Sequence, residues 1–179
     1  NNDVRLNYGM MRSNEFYQGT INDNILVFAN LEVVEKLPQN VQIYVDATFQ
    51  VCPFKSYQLI IVMAEVAGSP RPIIYGIMPG KEQIMYESFF HFIKHAVLIY
   101  GNKRRTPISV MADFEKGLRN GIKKNFPNIQ LLGCNFHHVK ALRGKARNTP
   151  ELSTKIFKNS QHHFILKCFM RLSLLPINR

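Results

Sequence analysis

The chain has 179 residues, 46% of them hydrophobic, and a formal net charge of +11. It is long enough for one domain with a real core and too apolar for a disordered tail. The positive excess points to an anionic partner, nucleic acid first and a membrane surface second.

The chain begins at Asn1 rather than Met, as expected of part of a longer protein. Residues 1–15 are polar and have no period. "NILVFAN" reads as a short strand, too short and too poor in flanking basic residues for a signal peptide. "NLEVVEKLP" reads as a short helix with Asn30 as N-cap and Pro38 as stop. Three strands follow, "VQIYVDATF", "YQLIIVMAEV" and "RPIIYGIMP", and their short connections predict an antiparallel meander. In "KEQIMYESFFHFIKHAVLIY" the apolar positions 84, 85, 89, 92, 93, 96 and 97 form a helical stripe, ended by Gly101. "TPISVMAD" is a short buried strand. "FEKGLRNGIKKNF" is a helix weakened by two glycines and broken by Pro127. "IQLLGC" is a fifth strand, and "NFHHVKALRGKAR" opens another helix. After "NTPE" the pattern is helical again. The apolar stretch "HFILKCFMRLSLLPI" carries Lys167 and Arg171, so it reads as an amphipathic or buried helix. No window reaches the eighteen or more apolar residues of a membrane span.

An antiparallel set followed by βαβα units is a mixed α/β pattern. It matches the ribonuclease H-like arrangement, a five-stranded mixed sheet flanked by helices, with the five strands in spatial order third, second, first, fourth, fifth. The expected organisation is a lead-in over residues 1–40, a catalytic core over 41–147, and helices over 148–179 that start an insertion or a truncated C-terminal region. The three cysteines, Cys52, Cys134 and Cys168, are too few and too scattered for a disulfide framework and point to a reducing compartment.

The acids are few, four Asp and eight Glu, so their places matter. Asp46 lies inside an apolar strand and Asp113 at the end of another. A carboxylate in a buried strand is costly unless it is paired, hydrogen-bonded or metal-bound. Singly, Asp113 could cap a helix starting at Phe114, and Asp46 could face solvent. In the expected sheet order the first and fourth strands are neighbours, so the two acids meet. Paired carboxylates suit Mg²⁺ or Mn²⁺ and phosphoryl transfer. From Lys116 to Arg147 there are eight Lys/Arg and no acid, a stretch suited to holding a phosphate backbone.

With these blocks the sequence resembles the catalytic domain of Mutator-like element (MULE) transposases. "LVFANLEVVEKL", "VDATF" where the family has Asp-Gly-Thr-Phe, "YQLIIVMAEV", "RPIIYGIMPGKEQIMYESFFHFI", "SVMADFEKGLRNGIKKNFPN" and "IQLLGCNFHHVKALRGKA" occur in order over roughly residues 16–147. The resemblance implies a cut-and-paste DNA transposase with an Asp-Asp-Glu triad and a divalent metal, Mg²⁺ or Mn²⁺. It further implies action on DNA in the nucleus, in a form that allows a homo-oligomer. By position the first two acids are Asp46 and Asp113. The family's Cys-x-x-His motif falls on Cys134 and His137, and Lys140, Arg143, Lys145 and Arg147 are candidates for the DNA backbone. Ala47 replaces the usual glycine, a small residue for a small one. The third acid is not assignable. The only carboxylate after Glu115 is Glu151, close to the start of the expected insertion. Two accounts follow: the chain stops before the third acid, or it is a domesticated, inactive module that binds nucleic acid or protein. A third, weaker reading is another ribonuclease H-like nuclease, acting on RNA–DNA hybrids.

Other constellations are weaker. A Cys134/His137 nucleophile pair lacks an oxyanion-hole signature. A zinc site would need four ligands, and His162 and His163 lack the spacing to complete one. His91 and His95 are four apart and share a helix face. Tyr44, Phe49 and Phe54 read as sheet packing.

Overall fold

The computed structural model describes residues 16–53 and 55–174. The chain divides into two compact units, Asn1–Leu132 and Gly133–Arg179.

The first unit is built on a mixed sheet. The strands are β1 (Tyr17–Ile21), β2 (Ile25–Ala29), β3 (Asn40–Thr48), β4 (Gln58–Val66), β5 (Ser69–Met78), β6 (Thr106–Ala112) and β7 (Gln130–Gly133), in spatial order β1-β2-β5-β4-β3-β6-β7. The five strands from β3 onward follow the order expected from sequence. The sheet nevertheless has seven strands, not five, because the β1–β2 hairpin adds to the edge of β5. Asn22 and Asp23 make that hairpin's turn at φ of 50° and 58°, a conformation their short polar side chains tolerate. Ala67 and Gly68 do the same between β4 and β5.

Val41, Ile43 and Val45 of β3 and Ile60, Val62 and Ala64 of β4 are buried on one face. Tyr44, Ile61, Met63 and Met111 on the other are half-buried. The period of two explains this alternation. The buried face forms a single core with α1 (Leu31–Lys36), α2 (Gln83–Phe92) and α3 (Lys116–Asn125). Asn30 caps α1 as expected, its side chain accepting from the Val33 amide at 3.2 Å. The expected stripe holds at Phe89, Phe92, Ile93 and Val97, all buried, and Tyr86 and Phe90 join it, whereas Ile84 is 58% exposed. Beyond Phe92 the helix loosens into a π-helical stretch, Ile93–Val97, which carries Ile93 and Val97 into the core.

Of the two glycines of α3, Gly121 is a packing residue rather than a weak point. A Cβ on Gly121 would sit 2.7 Å from Cβ of Tyr86, so the glycine lets α2 and α3 approach closely. A polar ladder runs along the same seam. Asn120 Nδ2 donates to Gln83 Oε1 at 2.8 Å, and Gln83 Nε2 donates to Glu87 Oε1 at 2.7 Å. Lys124 Nζ meets Glu87 Oε2 at 2.6 Å. The Gln83 amide and then the Lys124 ammonium hold the Glu87 carboxyl below its usual range.

The strand that matters most for function is β6, because it is parallel to β3 while β4 is antiparallel to it. The β3–β6 register shifts once. Val41 faces Pro107, Gln42 faces Ser109, and β6 therefore carries one extra residue there. Beyond the shift Ile43 faces Val110 and Val45 faces Ala112.

The second unit contains α4 (Asn135–Asn148), α5 (Pro150–Lys158) and α6 (Ser160–Arg171). They share a small core of Ala146, Leu166 and Met170, with Val139, Leu142 and Ile156 packed against it. Among the described residues no helix is long and apolar enough to cross a membrane.

Candidate active site

Asp46 follows Val45 on β3, and Asp113 follows Ala112 at the end of β6. Val45 and Ala112 are direct partners on parallel strands. Asp46 continues β3 and Asp113 lies just past the last residue of β6, so the two acids come to the same end of neighbouring strands. Neither is buried with the core: Asp46 is exposed and Asp113 is half-buried. The expectation of two carboxylates within buried strands is corrected accordingly. The alternation that buries Val45 and Ala112 turns their successors outward, and both acids keep access to water. Asp46 Oδ1 accepts from the Ala47 amide at 3.0 Å, and Asp113 Oδ1 accepts from the Phe114 amide at 2.6 Å.

Asp113 is not the N-cap of the following helix. α3 begins at Lys116 and Glu115 holds the cap position, without a side-chain bond to the helix. The Glu115 carboxylate is engaged elsewhere. Gln58 Nε2 donates to the Gly80 carbonyl at 2.9 Å and to Tyr86 Oη at 2.9 Å. The Tyr86 hydroxyl has two acceptors within reach, Glu115 Oε1 at 3.0 Å and Gln58 Oε1 at 3.1 Å, and the charged carboxylate is the stronger acceptor for its single proton. Burial first, and the neighbouring Glu115 charge after it, keep the Tyr86 hydroxyl protonated far above the ordinary phenol range. The relay ties β4, the β5–α2 connection and α2 to the turn carrying Asp113. A buried Gln, a Tyr and a Glu far apart in sequence give no local signal, so sequence reasoning missed it.

The same end of the sheet exposes aromatic side chains. Phe49, just past β3, is 52% exposed and stands edge-on to Tyr57 with ring centroids 5.4 Å apart. Phe114 is 51% exposed, with the Arg119 guanidinium 5.8 Å from its centroid. Tyr44 packs on the sheet as expected, but Phe49 does not, because β3 ends before it. Phe54 lies outside the described residues.

In the second unit Cys134 occupies the N-cap position of α4 and His137 its first turn, and both are half-buried. The His137 ring stands edge-on to Phe136 at 5.4 Å. His138 bonds the Phe169 carbonyl of α6 through Nε2 at 3.2 Å, so it joins two helices. Lys140, Arg143, Lys145 and Arg147 are all exposed. At 100° per residue Lys140, Arg143 and Arg147 share one stripe of α4, and Lys145 points to another side. The sequence's single-sign stretch is thus divided by structure, since Lys124 is paired with Glu87 and Arg119 covers Phe114.

His91 and His95 stack at 4.4 Å between centroids on the exposed side of their helix. Among the described residues no group of three or more His, Cys, Asp and Glu gathers closely enough to hold a metal ion. Glu151, the one late carboxylate, lies in the first turn of α5.

The MULE transposase domain model matches residues 42–141, which contain both aspartates, the Tyr86–Glu115 relay and the Cys134/His137 pair. No curated protein matches the chain. With the match covering more than half of the sequence and the strand-end aspartates inside it, the chain belongs to the MULE transposase domain family, whose function is transposase-related and implies interaction with DNA.

Proposed function

We propose that the chain is the catalytic domain of a DNA transposase with a ribonuclease H-like fold, acting in the nucleus by metal-dependent cleavage and strand transfer at transposon ends. The observation that carries this reading is the parallel β3–β6 pair, in which the partners Val45 and Ala112 immediately precede Asp46 and Asp113 at the same end of the sheet. Two strand-end carboxylates offer hard oxygen donors, which fit Mg²⁺ or Mn²⁺. Such an ion, when bound, supplies Lewis-acid stabilisation of a phosphoryl centre and an activated oxygen nucleophile. The chain's own residues do the rest. Asp46 and Asp113 orient the donors, and the Gln58–Tyr86–Glu115 relay fixes the turn that holds Asp113. Lys140, Arg143 and Arg147 hold backbone phosphates, with Lys145 on a separate side. Cys134 and His137 shape the turn into α4.

A second reading, a domesticated module that binds nucleic acid without cutting it, is favoured by one observation: no third carboxylate joins the pair among the described residues. One experiment addresses both. Mg²⁺ or Mn²⁺ should raise the melting temperature of the wild type by a few degrees, since a ligand specific to the folded state stabilises it. Asp46→Asn and Asp113→Asn should each remove the shift. An unshifted wild type sinks the metal site. A shifted wild type that binds transposon-end DNA without cleaving it selects the second reading.

A further inference from the structure

The end of the sheet beside Asp46 and Asp113 carries more than carboxylates. The β3–β4 connection, residues 49–57, turns apolar side chains outward: Phe49 at 52%, Val51 at 67% and Tyr57 at 44% exposure. The connection is anchored by its backbone. The Tyr57 amide donates to the Met78 carbonyl at 2.9 Å and the Ser56 amide to the Pro53 carbonyl at 3.0 Å. Lys81 Nζ lies 5.9 Å from the Tyr57 centroid. On the other flank Phe114, adjacent to Asp113, is topped by Arg119. Each flank of the carboxylate pair therefore presents exposed aromatic rings accompanied by a cation.

Exposed aromatics clustered at a polar site mark an interaction surface. A ring and a cation together recognise a particular chemistry, a flat π-face attached to a phosphate. In a paired duplex the base faces are stacked on one another and only edges and phosphates are offered. In an unpaired strand the faces are open.

We propose that Phe49, Tyr57 and Lys81 on one side, and Phe114 and Arg119 on the other, form a two-sided cradle for unpaired nucleotides flanking the phosphate that the aspartates address. The site's substrate is then DNA opened at the reacting end, rather than continuous duplex. This rests on the reading of the chain as a DNA-acting domain.

Fluorescence anisotropy with the full chain tests it, using a fully paired oligonucleotide and a forked one of the same sequence with unpaired bases at the end. The wild type should bind the fork about tenfold more tightly, as one or two stacked bases would give. The triple variant Phe49→Leu, Tyr57→Leu, Phe114→Leu keeps apolar bulk but removes the π-faces. It should bind both DNAs equally, with duplex affinity and circular dichroism unchanged. Phe164→Leu, at a 65% exposed phenylalanine on α6, should keep the preference. A wild type indifferent to the fork, a triple variant that keeps the preference, or its equal loss in Phe164→Leu overturns the cradle alone. Failure of the wild type to bind either DNA overturns the DNA-acting reading as well.

Discussion

Tyr86 connects the core to the candidate site through a single proton. Its ring is fully buried on α2, while its hydroxyl receives from Gln58 and donates to Glu115, two residues past Asp113. Tyr86→Phe keeps the ring and removes the bridge. It leaves a Gln58 N–H without its acceptor and Glu115 Oε1 without its donor, at an expected cost of about 1–3 kcal/mol. Urea denaturation should give that loss with an unchanged m-value, because the packing is retained. Glu115→Gln should cost less, since an amide oxygen can still accept the Tyr86 proton. Equal losses for the two variants would mean that the relay is not directional. Cys52 shows the opposite case, a reactive residue type kept quiet: burial pushes its thiol up, away from the thiolate form.

At the scale of elements, α2 against α3 shows what propensity alone misreads. Gly117 and Gly121 look like two weaknesses in one helix, since glycine costs roughly 1 kcal/mol against alanine there. The structure separates them. A Cβ on Gly117 meets its nearest atom, the Lys81 carbonyl oxygen, at 3.5 Å, an ordinary contact. A Cβ on Gly121 meets the Tyr86 backbone carbonyl carbon at 3.0 Å as well as its Cβ. Gly117→Ala is therefore expected to raise the melting temperature through helix propensity. Gly121→Ala is expected to lower it, because overpacking of about 1–3 kcal/mol exceeds the propensity gain. Thermal unfolding by circular dichroism checks the opposite signs. The strand order from β3 to β7 was legible in the alternation of "VQIYVDATF" and its neighbours. Tyr17–Ile21 was not, because "YQGTI" is short and contains Gly19, which takes φ of 135° beside a register shift. Asp46 and Asp113 were legible as acids at the ends of neighbouring strands, but their outward direction depended on register. The exposure of Phe49 was hidden, since an aromatic next to a strand reads as core until the strand's last residue is known.

Over the whole molecule the charge is unevenly placed. Residues 133–179 hold nine Lys/Arg against one Glu, which leaves +8 of the chain's +11 in about a quarter of its length. On the reading proposed above, those cations track phosphates and release condensed counterions on binding. Log affinity should fall linearly with log salt. Replacing Lys140, Arg143 or Arg147 with Gln should each reduce the slope by about 1, with little change in sequence preference. Lys124→Gln should leave the slope alone, because that ammonium is already engaged by Glu87. Titrations of anisotropy at several salt concentrations measure the slopes, and an altered slope in Lys124→Gln would mean that the partition of cations drawn from the structure is wrong.

The extra residue in β6 has a consequence for the whole family of variants that could be made of this chain. Before the shift, Val41 stands against Pro107, and continuing that phase would set Asp46 against Ala112. Asp113 would then stand beside Ala47 and a strand's pleat out of step with Asp46. The bulge takes Ile108 out of the pairing and so keeps the carboxylates level although β6 is one residue longer than β3 over this span. Ile108, 56% exposed, contributes little to the core and tolerates replacement on that account. It should tolerate removal too, because Pro107 would then run directly into Ser109 and Gln42 would still face Ser109. The count that matters lies after the bulge, where the step from Ser109 to Asp113 matches the step from Gln42 to Asp46. An insertion or deletion within that stretch would slip one aspartate by a position and turn it to the other face while leaving both in the sequence.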